Sequence, residues 1–239
     1  MLIRATVAGA AVLAAGGYLY AGLWPESQIF GRTLIAGRDP DEFALTYDDG
    51  PNDVYTERIL EILARHEVRA TFFVIGRFAR ERVGLIRRIH AAGHVVGNHT
   101  WTHPVLLFRT PERVREELAA TNAVLEDALS EKVQYFRPPH GARRPDILRA
   151  ARELGMVAVM WNAMGYDWKA RGSEEVLTNL NRGIRRNRRR RVGSNLLLHD
   201  GGQAGIGQDR SHTVAATEAL LEQWRGKARF VTVAGWGEG

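Results

Sequence analysis

Short runs of β-branched and aromatic residues alternate with amphipathic stretches along most of this chain, and that alternation restricts the fold more than any other feature. Parallel strands joined by crossover helices give such a pattern. The predicted strands are Phe43–Tyr47, Ala70–Ile75, His94–Asn98, Tyr135–Arg137, Met156–Trp161, Leu196–His199 and Arg229–Val233. The predicted helices are Thr56–Arg65, Val83–Ala92, Pro111–Leu129, Pro145–Leu154, Ser173–Arg186 and Ser211–Trp224. The sequence therefore predicts an α/β protein built on a parallel sheet.

Chain length and the lack of cysteine restrict the number of domains and the kinds of metal or catalytic site that this protein can contain. With 239 residues and no long linker, it fits one domain that can bury a substantial core. It contains no cysteine, which excludes disulfides, thiolate metal sites and a cysteine nucleophile. Any bound metal must therefore be held by histidine and carboxylate ligands.

An uncharged segment, residues 5–24, has the length of a membrane span. Three aromatic residues cluster where an interfacial belt would lie, namely Tyr18, Tyr20 and Trp24. We therefore expect residues 1–25 to be an uncleaved membrane anchor and residues 26–239 to form the folded domain. A cleaved signal peptide is the main alternative, because small residues near the end of the segment suit a processing site. A buried helix of the fold is the third interpretation.

The formal net charge of +6 is concentrated in an arginine run, residues 185–191, at the end of a predicted helix. Such a run could attract nucleic acid, anionic lipid or a phosphate-bearing polymer. Arginine in a last helical turn also complements the helix dipole. Because no aromatic platform interleaves with the run, we expect a solvated helix end and no nucleic-acid partner.

Polar side chains occur where the predicted strands end. The residues in these positions are Asp48, Asp49, Asn98, His99, Arg137, His199 and Asp200. The carboxyl ends of parallel strands meet at one edge of a sheet, where the loops converge to form a site. Separate structural explanations for each residue would have to coincide, so the pattern indicates one functional site.

Asp48, Asp49 and His99 of this set, together with the nearby His103, suit a metal centre. Asp48 and Asp49 are neighbours, and side chains of neighbours on an extended strand point in opposite directions, so the carboxylates can serve different tasks. Helix capping is the structural alternative for them. His99 and His103 are four residues apart, and one helical turn on a loop would place both imidazoles on one face. With Asp49 they form a two-histidine, one-carboxylate set with open positions, as a catalytic metal requires.

A hydrolytic reaction at such a centre needs a base and an acid. Metal binding lowers the pKa of a water, which can then act as the nucleophile near neutral pH. Asp48 adjoins the ligand Asp49 and is the predicted base. His199 follows an apolar run and titrates in the range that suits the acid.

A rigid loop, residues 137–145, contains three prolines and one glycine. Such a loop can aim a backbone N–H at a developing oxyanion, and we nominate the amide of His140 as this donor. The His140 imidazole could instead be a fourth metal ligand, although its position between proline and glycine better suits a wall of the pocket.

Taken together, the motifs resemble the polysaccharide deacetylases of carbohydrate esterase family 4, which share the NodB homology domain. The resemblance runs from about Phe43 to Val233. Five segments carry it in order: Thr46–Gly50, His99–His103, Arg137–Gly141, Asp167–Trp168 and Leu197–His199. It implies a distorted (β/α) barrel of about seven parallel strands, with residues 26–239 as the deacetylase domain.

Roles for individual residues follow from the same resemblance. The implied ligands of a divalent metal, zinc first and cobalt or another ion next, are Asp49, His99 and His103. The implied catalytic residues are Asp48 as base, His199 as acid, Arg137 positioning the base and Asp167 supporting a charged partner. The implied substrate-binding residues are Trp168 and Leu197 around the acetyl methyl group, together with His140.

The expected function is removal of N-acetyl groups from an amino-sugar polymer containing N-acetylglucosamine, such as peptidoglycan or a chitin-like glycan. We expect a monomer outside the cytoplasm, anchored to the membrane or secreted. Hydrolysis of xylan acetyl esters or of C–N bonds in cyclic amides remains an alternative that the sequence does not separate. Fe(II)-dependent oxygenation uses similar ligands but needs neither a second aspartate nor an acid such as His199. A glycan-binding module without turnover would not need base, acid and ligands together.

Overall fold

The structure is a computed structural model that describes residues 16–236. Its strands are β1 Glu42–Gly50, β2 Thr71–Val74, β3 Val95–Asn98, β4 Tyr135–Phe136, β5 Val157–Ala158, β6 Ala163–Met164, β7 Ser194–His199 and β8 Arg229–Val231. Its helices are α1 (residues 16–23), α2 Tyr55–Arg65, α3 Gly76–Glu81, α4 Val83–Ala91, α5 Pro111–Leu129, α6 Pro145–Glu153, α7 Ser173–Arg189 and α8 Ser211–Trp224. Strands and helices alternate, as the sequence predicts.

Seven strands form one parallel sheet in the order β5-β4-β3-β2-β1-β7-β6, and β8 pairs with the start of β1. Residues 157–164 pair with β4 at their beginning and with β7 at their end. Because one continuous segment contacts both ends of the strand order, the sheet curls into a barrel-like form with helices outside it. The prediction of about seven parallel strands in such a sheet is confirmed.

The central strand β1 positions the site. All nine of its residues are buried, and its apolar run Phe43–Tyr47 is typical of a parallel strand that is covered on both faces. It pairs with β2 on one side and with β7 on the other, so Asp48 lies level with Phe73 and His199. The sheet therefore brings the ends of three neighbouring strands to one edge.

Element boundaries differ from the predictions mainly where elements are short. The predicted strand Met156–Trp161 is a strand only over Val157–Ala158. The two-residue β6 and the six-residue α3 were not predicted, because runs this short show no periodicity. The prediction of a membrane anchor over residues 1–25 lies mostly outside the described residues. Within residues 16–236, none of the helices has the length and apolar character needed to cross a membrane.

The arginine run lies at the end of α7. Its side chains form ion pairs, whereas a solvated helix end was expected. Arg190 lies 2.5 Å and Arg186 3.5 Å from the carboxylate of Glu26. Arg188 lies 2.6 Å from the carboxylate of Asp41. The run therefore fastens α7 to the segment that precedes β1, although its side chains stay about half exposed.

Close packing of α7 on β6 gives a stability prediction. A Cβ at Gly183 would lie 2.5 Å from Ala163 Cβ and 2.9 Å from its Cα, whereas a Cβ at Gly84 in α4 would meet nothing within 4 Å. Gly183→Ala should lower the free energy of unfolding by about 1–3 kcal/mol because it overpacks this contact. Gly84→Ala, the matched control, should raise it by up to about 1 kcal/mol through helix propensity. Urea denaturation midpoints compare the two; equal effects would contradict the packing argument.

Candidate active site

A cavity of about 490 Å³ opens at the carboxyl ends of β1, β3 and β7. Eight of the ten predicted site residues line it: Asp48, Asp49, His99, His103, His140, Trp168, Leu197 and His199. The other two lie directly behind the wall, since Arg137 contacts Asp48 and Asp167 contacts His199. The structure thus brings all ten together.

A bulge at the end of β1 turns both aspartates toward the cavity. The register with β2 shifts between Asp48 and Gly50, and Asp49 has a left-handed φ of 72°. Asp48 Oδ2 and Asp49 Oδ1 lie 3.7 Å and 3.4 Å from the same atom, His99 Nε2. The expectation that the two side chains point in opposite directions is therefore wrong, because β1 is not regularly extended here. Neither aspartate caps α2, whose N-cap residue makes no side-chain capping bond.

The backbone of the loop after β7 lies against this bulge. A Cβ at Gly201 would lie 2.1 Å from the carbonyl oxygen of Asp49. Only glycine allows that approach, so Gly201 fixes how closely this loop can lie beside the metal-ligand candidate.

A bend, not the expected helical turn, brings the two histidines together. Thr100 and His103 have left-handed φ values of 67° and 59°. The Thr100 amide donates to Asn98 Oδ1 at 2.7 Å, and the His103 amide donates to Thr100 Oγ1 at 3.1 Å. The imidazole centroids are 4.9 Å apart. The predicted pairing of the imidazoles thus holds, although local side-chain bonds produce it.

Asp49, His99 and His103 form a cluster suited to a divalent metal, with three ligand atoms within 4.8 Å of one another. Asp49 Oδ1 lies 3.4 Å from His99 Nε2 and 3.1 Å from His103 Nε2. Each Nδ1 has an acceptor: the Arg137 carbonyl at 2.8 Å from His99 and Gln203 Oε1 at 2.9 Å from His103. Donation from Nδ1 leaves both Nε2 lone pairs facing the carboxylate. Asp49 Oδ1 is buried without a hydrogen-bond partner in the described part of the chain, so the donor set fits a cation.

Electrostatics in this cluster favour positive charge. Burial would raise the pKa of Asp49, but the adjacent imidazoles hold it well below the usual value. Burial would lower the pKa of His103, yet Asp49 outweighs burial and raises it. A proton on His103 therefore competes with a metal ion for the same carboxylate.

The candidate base Asp48 is held by a buried arginine. Arg137 Nη1 donates to Asp48 Oδ1 at 2.8 Å and to Thr46 Oγ1 at 2.8 Å. Its guanidinium carbon lies 4.2 Å from the centroid of the Phe73 ring. Burial lowers the pKa of Arg137, and the charge of Asp48 opposes that shift. The pair fixes the second oxygen of Asp48 toward the cavity.

The candidate acid His199 is held by a carboxylate, whereas Asp48 is held by a cation. His199 Nδ1 donates to Asp167 Oδ1 at 2.8 Å, and the His199 amide donates to Asp167 Oδ2 at 2.7 Å. Thr213 Oγ1 donates to Asp167 Oδ2 at 2.7 Å. Burial lowers the pKa of His199, but Asp167, with smaller contributions from the charges of Asp49 and Asp48, outweighs burial and raises the value to about 9. His199 is thus protonated at neutral pH, with Nε2 free to donate a proton.

Aromatic side chains stand over both histidine groups. His140 packs edge-on against His103 at 4.7 Å between centroids, and Trp168 packs edge-on against His199 at 5.1 Å. His140 is not part of the ligand cluster, so it serves as a wall. Its backbone has a left-handed φ of 58°, and its amide has no acceptor within residues 16–236.

Four residues that line the cavity were not predicted from the sequence: Trp161, Gln203, Gln208 and Arg210. The last three belong to the loop after β7, which follows His199 directly. Their position at the carboxyl end of a predicted strand was the available signal, but nothing in the sequence shows that Gln203 turns toward His103.

Comparisons with known proteins agree with this arrangement. A family profile described as polysaccharide deacetylase matches residues 36–159. A chitooligosaccharide deacetylase of Sinorhizobium fredii is 40% identical over 158 residues, which cover 66% of this chain and 71% of that protein. The solved structure of the Bc1960 peptidoglycan N-acetylglucosamine deacetylase matches with a TM-score of 0.76 and 30% identity, over 84% of this chain and 91% of that one. BA3943 of Bacillus anthracis, a pseudoenzyme of family CE4, matches with a TM-score of 0.72 and 28% identity, over 82% and 65%.

This chain belongs to the polysaccharide deacetylase family. The resemblance that the five motifs indicated is therefore confirmed, and the fold is the one that this family implied. The matched segment contains the metal-ligand candidates and Asp48, whereas His199 lies beyond it.

Gln203 offers a direct test of the metal cluster. Gln203→Ala should weaken zinc affinity about 10- to 100-fold, because it removes the acceptor that orients His103. Gln208→Ala is the matched control, since Gln208 lines the same cavity without a hydrogen bond to either histidine. Competition titrations against a chelating dye measure both. Equal zinc affinity in the two variants would contradict the proposed ligand orientation.

Asp167 should control the protonation of His199. Asp167→Asn removes the main negative charge that offsets the effect of burial on the pKa of His199. This pKa, about 9 in the wild-type protein, should therefore fall by at least about one unit. Thr213→Val, which removes only one hydrogen bond to Asp167, should shift it less. Titration of the imidazole by NMR gives both values. An unchanged His199 pKa in Asp167→Asn would refute this assignment.

Proposed function

We propose that the protein is a metal-dependent N-deacetylase that removes acetyl groups from N-acetylglucosamine residues of a glycan. One observation carries this proposal: the Asp49, His99 and His103 cluster shares one cavity with two charged groups of opposite type. The first is a carboxylate held by an arginine, and the second is an imidazole held by a carboxylate. Amide hydrolysis needs this combination of a proton acceptor and a proton donor.

The reaction adds a water oxygen to the acetyl carbonyl carbon and breaks the C–N bond, giving acetate and a free amine. A divalent ion held by the cluster would polarise the carbonyl and lower the pKa of a water. Asp48 accepts the proton of the attacking water, with Arg137 orienting its carboxylate. His199 donates its Nε2 proton to the leaving nitrogen, and the amide of His140 faces the developing oxyanion.

The apolar part of the cavity suits an acetyl methyl group. Trp161, Leu197 and Trp168 line it beside His199. Trp161 and Leu197 are nearly buried, while Trp168 is 47% exposed. A methyl group would therefore contact two fixed apolar walls, with the sugar ring closer to solvent.

The high pKa of His199 favours an amide over an ester as the substrate. The leaving nitrogen of an amide must be protonated, and His199 carries a proton at neutral pH because its pKa is about 9. Ester cleavage in xylan has less need of such an acid. A non-catalytic glycan-binding role would not require Asp48 and His199 together.

Three further expectations belong to this proposal. Zinc is the first candidate ion, because two imidazoles and one carboxylate suit it. The enzyme would act as a monomer. It would act outside the cytoplasm, because the uncharged residues 5–24 suit an anchor or a signal peptide before residues 26–239.

Acetate release tests the proposal directly. Purified protein should release acetate from an N-acetylglucosamine oligomer, lose this activity with a chelator and recover it with zinc or cobalt. Acetylated xylan and cyclic ureides, assayed in parallel, should react more slowly. Faster turnover of either, or activity that survives complete removal of divalent ions, would refute it.

Substitution of the candidate base separates chemistry from metal binding. Asp48→Asn should lower kcat about 10²- to 10⁴-fold while zinc stoichiometry stays the same, because the amide cannot accept the proton. Asp53→Asn is the control, since it removes an exposed carboxylate that pairs with Arg82, and its kcat should stay within about twofold. Full activity of Asp48→Asn with bound zinc would exclude Asp48 as the base.

A further inference from the structure

A second cavity, of about 270 Å³, adjoins the candidate active site. We call it the α7 groove, and its lining includes Trp24, Glu26, Tyr166, Asn179, Arg182 and Arg186. The groove lies between the segment before β1 and helix α7. The charged residues of the groove do not belong to any of the five family motifs. The proposed reaction therefore gives the groove no role.

The groove continues from the active-site cavity. Trp161 lines both cavities, so they share a wall. Trp168, at the mouth of the first, lies 5.6 Å from Tyr166, which lines the second. A glycan chain whose acetylated sugar occupies the first cavity can therefore extend along these aromatic rings into the groove.

An exposed aromatic ring makes the groove suitable for a sugar. Tyr166 is 40% exposed, and such a ring offers an apolar face together with a polar edge. Tyr166 also has a left-handed φ of 54°. A bulky residue rarely adopts this conformation, and such outliers concentrate at ligand-binding sites.

The charge in the groove is positive. Arg182 has no ion-pair or hydrogen-bond partner among residues 16–236. Arg186 donates to the carbonyl of Asn162 and lies 3.5 Å from Glu26. The Glu26 carboxylate also pairs with Arg190 at 2.5 Å, so it is already neutralised from outside the groove. Arg182 is thus an uncompensated guanidinium beside aromatic rings, and a carboxylate is its natural complement.

We propose that the α7 groove binds an acidic sugar of the glycan, adjacent to the sugar that loses its acetyl group. This inference rests on the proposed function and narrows its substrate class. It predicts a preference for glycans in which neighbouring sugars carry free carboxylates, such as peptidoglycan strands freed of their stem peptides, over neutral N-acetylglucosamine oligomers. Arg182 is the specificity-determining residue and Tyr166 the stacking platform.

Substrate comparison in an Arg182 variant tests the groove. The two substrates are a neutral N-acetylglucosamine oligomer and a soluble peptidoglycan glycan freed of its peptides, so that its lactyl carboxylates are ionised. Arg182→Gln should lower kcat/KM for the acidic glycan about three- to fivefold, through KM, as expected for a partly exposed ion pair. The value for the neutral oligomer should fall less, and the difference between the two substrates should shrink at high salt. Arg149→Gln, which removes an exposed arginine of α6 outside both cavities, is the charge-matched control.

Equilibrium binding measures the affinity of the groove for a glycan independently of turnover. Calorimetric titration with the acidic glycan should give weaker binding to Arg182→Gln and to Tyr166→Ala than to wild type, with Arg149→Gln unchanged. A loss in Arg182→Gln that is equal for acidic and neutral glycans, or unchanged binding of the acidic glycan in either Arg182→Gln or Tyr166→Ala, would overturn the groove proposal while leaving the proposed deacetylase function intact. Selective binding of the acidic glycan without any acetate release would instead support the groove and refute the proposed function.

Discussion

The arrangement of this site depends on a buried carboxylate oxygen that faces two imidazole nitrogens with no proton donor between them. Donation from Nδ1 of His99 and His103 to acceptors leaves two lone pairs directed at Asp49 Oδ1. A positive charge must reside there, either as a divalent ion or as a proton on a histidine. The raised pKa of His103 expresses the same requirement in the absence of a metal.

Two charged pairs of opposite polarity lie in the same site. Arg137 donates to Asp48 at the end of β1, and His199 at the end of β7 donates to Asp167. Because β1 and β7 pair in parallel with Asp48 level with His199, the candidate base and the candidate acid stand on adjacent strands. A carboxylate held by an arginine and an imidazole held by a carboxylate suit the roles that we propose for them.

The sequence was sufficient to predict which candidate residues lie together at the cavity, but not their local geometry. Parallel strands converge at their carboxyl ends, so the position of His199 after an apolar run was informative whatever the exact boundaries. The bulge at Asp49 and the bend before His103 could not be predicted, because both depend on contacts with distant or non-periodic groups such as the backbone of Gly201. Gln203 was missed for the same reason, since it meets His103 across 100 residues of chain.

Anomalous scattering at the zinc edge, measured from crystals grown with zinc, would show where the ion binds. We expect one ion bonded to a carboxylate oxygen of Asp49 and to Nε2 of both His99 and His103, at about 2.0–2.2 Å. The opposite result is that crystals saturated with zinc show anomalous peaks elsewhere in the molecule and none between Asp49 and the two histidines. Such a result, with Asp49 still paired to a histidine, would contradict the proposed metal site.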